Sequence, residues 1–147
     1  MDAVTVNGTS GSDTIEVALA ASAGHVGVSG GPDLLGAESL VVNGLGGNDT
    51  LSGGALAGLI LLTLDGGAGS DILKGGNGND VLNGGTENDT ADGNGGADTA
   101  PLGAGNDTFV WDPGDGGDVV EGQADQDTLA AGGAYAEAVS SSRSTRR

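Results

Sequence analysis

The chain has 147 residues, 32 of them glycine, with 21 acidic residues against four basic ones, no cysteine, and one residue each of Phe, Trp and Tyr. Large apolar side chains this sparse exclude a thick globular core. The missing cysteines exclude disulfides, which leaves metal ions, oligomerisation or backbone pairing to hold the fold. Up to Ser140 the only Lys or Arg is Lys74, and the three arginines sit in the tail "SSSRSTRR". Nucleic acid is therefore excluded as a partner, because nothing in the body neutralises phosphates. Acidity alone fits either a disordered chain or one that awaits cations. No apolar run reaches the 18 residues of a membrane span, "LILLTL" (59–64) being too short. The opening "MDAVTVNG" has neither the basic region nor the apolar stretch of a cleaved signal peptide.

Residues 1–64 alternate turn signals with short runs: "AVTVNG", "TIEVAL", "HVGVSG", "SLVVNG" and "LILLTL". Val, Thr and Ile at alternate positions between Gly, Asn and Asp predict strands of period two. We expect irregular solenoid coils here, stacked under the more regular part of the chain. A short helix over "GALAGLILL" (54–62) is the alternative, since short apolar runs do not discriminate. The G-x-S-x-G pattern in "GVSGG" (27–31) has the form of a nucleophile elbow. It lies in a Gly-rich strand region, two residues from the sole histidine, His25, whereas an elbow needs a strand-to-helix turn and a distant His.

From residue 66 the sequence repeats every nine residues: "GGAGSDILK", "GGNGNDVLN", "GGTENDTAD", "GNGGADTAP" and "LGAGNDTFV", through residue 110. The sixth seat is always aspartate: Asp71, Asp80, Asp89, Asp98 and Asp107. Trp111 and Asp112 break the frame, which resumes with Asp118 and Asp127. Upstream, "GLGGNDTLS" puts Asp49 in the same seat, and a weaker copy does so with Asp13. Repeats are the first feature to read in such a chain. Glycines at seats one, two and four allow φ > 0 and close approach of neighbouring chain, which suits tight turns with converging carbonyls. The last three seats are extended, with an apolar residue at the eighth pointing inward: Leu73, Leu82, Ala91, Ala100, Phe109, Val120 and Leu129. Two nonapeptides make one coil of 18 residues and stack Asp71 beside Asp89, Asp80 beside Asp98, and Asp89 beside Asp107.

Two carboxylates about 5 Å apart repel by about 3 kcal/mol at an effective dielectric near 20. Several such pairs rival the roughly 5–15 kcal/mol stability of a whole domain. A divalent cation between coils reverses the sign. Carboxylates and carbonyls form an all-oxygen set that suits Ca²⁺. Mg²⁺ demands a tighter octahedron, and zinc and copper lack Cys and His. Beyond the repeats, "TFVWDPGDGGDVVEG" carries Phe109 and Trp111, read as a cap over the last coil. The tail after Ala130 has no repeat and is expected to be disordered.

The run 66–110 resembles the hemolysin-type calcium-binding nonapeptide of RTX proteins, G-G-x-G-x-D-x-U-x with U apolar. The resemblance implies an all-β fold, a parallel β-roll (β-solenoid), with an irregular N-terminal β-solenoid part. The division expected is 1–64 for irregular β-solenoid coils, 65–130 for the calcium-binding nonapeptide β-roll and 131–147 for the tail. It further implies several Ca²⁺ ions held between coils by Asp49, Asp71, Asp80, Asp89, Asp98, Asp107, Asp118 and Asp127. Turn carbonyls would assist at Gly67, Gly69, Gly76, Gly78, Gly85, Gly96 and Gly105, the best site being set by Asp71, Asp80 and Asp89. A bacterial protein secreted without a cleaved N-terminal signal through a type I apparatus, folding in external calcium, is the implied biology. Three departures stand out: Glu87 at a fourth seat, Asn94 at a second and Leu102 at a first. Ala91 and Ala100 fill inward seats with little volume, so the third and fourth repeats are expected to be the weak part of the roll.

Two functions follow. One is a non-catalytic calcium-binding roll that acts as a structural or secretion module. The other is the accessory end, or a fragment, of a larger secreted enzyme or toxin. A degenerate, poorly binding reading frame is a third view. No H-E-x-x-H, EF-hand loop or convincing nucleophile argues for catalysis within the chain.

Overall fold

The computed structural model describes residues 3–20, 25–28, 33–34, 39–55, 60–132 and 140–141. Among these every regular element is a strand. They are β1 (Ala3–Asn7), β2 (Thr14–Ala20), β3 (His25–Val28), β4 (Asp33–Leu34), β5 (Ser39–Gly46), β6 (Thr50–Ala55), β7 (Leu61–Ala68) and β8 (Ile72–Lys74). There follow β9 (Val81–Thr86), β10 (Thr90–Asp92), β11 (Thr99–Pro101), β12 (Gly103–Ala104), β13 (Thr108–Trp111), β14 (Val119–Glu121), β15 (Thr128–Ala131) and β16 (Ser140–Ser141). No helix among the described residues is long and apolar enough to cross a membrane.

From β5 onward strands alternate between two sheets, except that β11 and β12 lie in the same one, and each pairs with a strand one coil away. The first sheet runs β1-β5-β7-β9-β11-β14-β16, with β12 also beside β9; the second runs β15-β13-β10-β8-β6-β2-β3-β4. Pairing within the coils is parallel, and its register is the repeat itself: Ile72, Leu73 and Lys74 face Thr90, Ala91 and Asp92, 18 residues on. The fold is the expected β-solenoid. Inward residues pack into one narrow core of Val17, Leu40, Val42, Leu51, Leu62, Leu64, Leu73, Leu82, Ala91, Ala100, Leu102, Phe109, Trp111 and Val120. The outward seventh seats form a register row of Thr14, Thr50, Ile72, Thr90, Thr108 and Thr128, largely β-branched as a pleated surface favours.

Several expectations need correction. The N-terminal runs are strands, and β1 and β2 join the stack in parallel with β5 and β6. But β3 and β4 pair antiparallel beside β2, a folded-back arm rather than a coil, because alternation predicts a strand and not its direction. Phe109 and Trp111 do not cap the roll. They are 1% and 2% exposed, and β15 covers them, with Phe109 facing Leu129 and Trp111 facing Ala131. The two-residue insertion lengthens β13 by one inward step and sends the indole into the core, where Nε1 donates to Gly116 O. Leu129, expected inward, is 47% exposed on the last coil. Leu61 and Leu62 are strand rather than helix, and residues 56–59 of that alternative lie outside the described residues. So do 29–31 of "GVSGG" and 133–139 and 142–147 of the tail, although Ser140 and Ser141 pair with Val119 and Val120.

Candidate metal centre

Seats two and four of the repeat bend left-handed. Gly67, Gly69, Gly78, Gly85, Gly96 and Gly105 all have positive φ, from 98° to 143°, and Gly76 alone of the expected turn glycines does not. The departures at these seats keep the geometry at a cost: Leu45, Glu87, Asn94, Gln123 and Asp125 sit at φ between 61° and 78°, where a side chain crowds its own backbone. At the first seat the expected close approach holds and the expected φ > 0 does not. A Cβ on Gly66 would overlap Asp71 Oδ2 and stand 2.7 Å from Gly84 O. The same holds, repeat by repeat, for Gly8 with Asp13, Gly44 with Asp49, Gly75 with Asp80, Gly84 with Asp89, Gly93 with Asp98 and Gly122 with Asp127. The absent Cβ leaves a cradle on which the aspartate's Oδ2 converges. At Gly44, Gly66, Gly75 and Gly84 the first-seat carbonyl of the next coil converges there as well.

The turns carry the aspartates into two columns. The first is Asp13, Asp49, Asp71, Asp89, Asp107 and Asp127, and it leads into the second sheet. Each backbone N–H donates to Oδ1 of the next aspartate, at 2.7, 2.8, 2.8, 2.9 and 3.1 Å along the column. The second column is Asp80, Asp98 and Asp118, joined at 2.8 and 2.9 Å. The pairs expected from the 18-residue coil are therefore present. The trio Asp71, Asp80 and Asp89 is not one site, because Asp80 belongs to the other column. Thr63 pairs with Val81, so the register position before Asp80 is Leu62, and before it Leu40. Both leucines are buried, and the second edge is apolar there and acidic from Asp80 onward.

Residues in the fifth seat, which the sequence reading left without a role, make a ladder of opposite direction. The N–H groups of Ser70, Ala97, Asn106 and Gln126 donate back to Oδ1 of Asn48, Asn79, Asn88 and Asn106. The recurrent Asn immediately before Asp was the available signal.

Seven aspartates, Asp49, Asp71, Asp80, Asp89, Asp98, Asp107 and Asp118, are buried. Burial pushes the carboxyls of Asp71, Asp80, Asp107 and Asp118 above the ordinary carboxylate range, against the pull of backbone N–H donors. It carries Asp89 and Asp98 up to about 7, helped by the nearby charges of Asp107, Asp71 and Glu87 at Asp89, and of Asp118, Asp80 and Asp115 at Asp98. The Oδ2 atoms of Asp49, Asp71, Asp89, Asp98, Asp107 and Asp118 are buried without a hydrogen-bond partner. A buried anionic oxygen left unpaired costs several kcal/mol, so these atoms call for a cation or a proton. Among the described residues no three His, Cys, Asp or Glu side chains converge as a metal cluster. An ion at these turns must rest on one or two carboxylates completed by backbone carbonyls. That donor set is hard and all-oxygen, which fits Ca²⁺.

The family model for the RTX calcium-binding nonapeptide repeat matches in four copies, at residues 41–56, 63–91, 74–109 and 112–134, together more than half of the chain. No curated protein and no solved structure matches it.

Proposed function

The chain belongs to the RTX calcium-binding nonapeptide repeat family, whose repeats bind calcium and wind a β-roll, and on that premise we propose that it is a secreted, non-catalytic module that folds when it takes up several calcium ions. The observation that carries this reading is the row of buried carboxylate oxygens without partners on both edges of the stack. The residues that would hold the ions are aspartates at first-seat cradles, Asp49, Asp71, Asp89 and Asp127 on one edge and Asp80 and Asp98 on the other, with carbonyls of the adjoining turns. A bound ion supplies positive charge between coils whose carboxylates otherwise repel.

The working division is a calcium-binding roll at 65–130, where both edges are acidic, supported by coils in 1–64 and followed by the tail at 131–147. In low calcium the 21 acidic residues keep the body expanded, a form suited to passage through a type I channel. Outside the cell, affinities of about 10⁻⁴–10⁻³ M suffice. Each site adds about 2.7 kcal/mol at a hundredfold excess over its Kd, and because neighbouring coils share hydrogen bonds, folding is cooperative along the stack. The non-catalytic reading is supported by the elbow-like stretch, since the next described element after β3 is the strand β4, paired antiparallel with it, whereas an elbow leads from a strand into a helix. Equilibrium dialysis against CaCl₂ and MgCl₂ tests the proposal: uptake of several calcium ions with little magnesium supports it, and equal or no uptake overturns it.

A further inference from the structure

First seats decide whether an aspartate has a cradle beside it. In all seven repeats with glycine at that seat, an added Cβ would meet Oδ2 of the repeat's own aspartate. Repeat 102–110 has leucine there. Leu102 keeps the backbone position of its glycine counterparts: Gly103 pairs with Gly85, the Gly85 N–H donates to Leu102 O at 2.9 Å, and the Leu102 N–H donates to Glu121 O at 2.8 Å. Its side chain is 1% exposed and belongs to the apolar core. Asp107, five residues on, has an Oδ2 that is buried and unpartnered, while its Oδ1 accepts the Asp89 N–H.

We propose that Leu102 is a plug that closes one seat of the first column. The cradle that glycine leaves beside Asp71 or Asp89 is filled with hydrocarbon beside Asp107, so no ion enters there. Asp107 then serves only as the acceptor that latches its coil to Asp89. The column is thereby cut into a block ending at Asp89 and a separate seat at Asp127. A hydrocarbon plug also joins the core where the inward seats on either side are only Ala91 and Ala100, which gives leucine a packing role that glycine could not fill. This inference rests on the calcium reading above and narrows it to particular seats.

The test is the number of calcium ions bound at saturation, by equilibrium dialysis of the full chain, with far-UV circular dichroism as the check on folding. Asp107→Asn is expected to bind as many ions as the wild type, whereas Asp89→Asn binds one fewer. Leu102→Gly is expected to bind one more. Loss of an ion in Asp107→Asn, or a folded Leu102→Gly with an unchanged count, overturns the plug. If Leu102→Gly does not fold, the contrast between Asp107→Asn and Asp89→Asn decides alone. A wild-type chain that takes up no calcium overturns the calcium reading and the plug together, whereas normal uptake with a lost ion in Asp107→Asn overturns the plug only.

Discussion

The Asp71 N–H donates to Oδ1 of Asp89 at 2.8 Å, with both residues buried and 18 positions apart, while Asp71 O accepts the Thr90 N–H at 2.9 Å. Asp71 thus latches its coil to the next through its backbone N–H, which the Asp89 carboxylate accepts, and through its own carbonyl. Two consequences separate by substitution. Asp89→Asn keeps an acceptor for the Asp71 N–H and removes only the charge; Asp89→Ala also strands the donor. A stranded buried donor costs about 1–3 kcal/mol. Urea unfolding in saturating calcium is expected to place Asp89→Ala below Asp89→Asn by that amount, with both below the wild type.

Protonation should stand in for calcium. In an unfolded chain an aspartate ionises near 3.8, whereas folded Asp89 and Asp98 ionise at about 7. Between these values the folded state holds protons that the unfolded state has released, so stability falls as pH rises. The contribution is complete below about 3.8 and is lost as pH passes 7. Circular dichroism in chelator is expected to gain β-signal on moving from pH 8 to pH 5. Saturating calcium should largely abolish the difference.

Glu87 stands at φ 75° in a seat that elsewhere in the column is mostly glycine, and its charge lies near both Asp71 and Asp89. Glu87→Gly relieves backbone crowding worth about 1 kcal/mol. An equilibrium urea curve in saturating calcium should show a gain of that size. A loss would identify the Glu87 carboxylate as a contributor to ion binding.

Inward seats differ along the stack. Leu73 is fully buried while Leu129 is 47% exposed on the last coil. Leu73→Ala is expected to cost about 2–5 kcal/mol, and Leu129→Ala under 1 kcal/mol, by the same urea measurement.

Much of this architecture is legible in nine-residue phase. The interval between Asp71 and Asp89 gives the coil length, and alternation in "SLVVNG" and "TIEVAL" gives strands. The two columns require knowing that turns face opposite edges, which is why Asp80 reads falsely as a partner of Asp71. Strand direction at His25–Val28 is set by tertiary pairing, and local alternation carries none of it. Leu102 reads as a damaged motif because a consensus describes turns and says nothing of the core behind them. Asn48 and Asn88 read as filler because side chain to backbone ladders across coils leave no local signature beyond recurrence.

Far-UV circular dichroism at neutral pH decides whether paired buried aspartates make calcium the trigger of folding. The chain is stripped with chelator, then titrated with CaCl₂ and, separately, with MgCl₂. A sigmoidal gain of β-signal with calcium and little change with magnesium is expected. A chain already folded in chelator at that pH, or one that answers both ions alike, would contradict it.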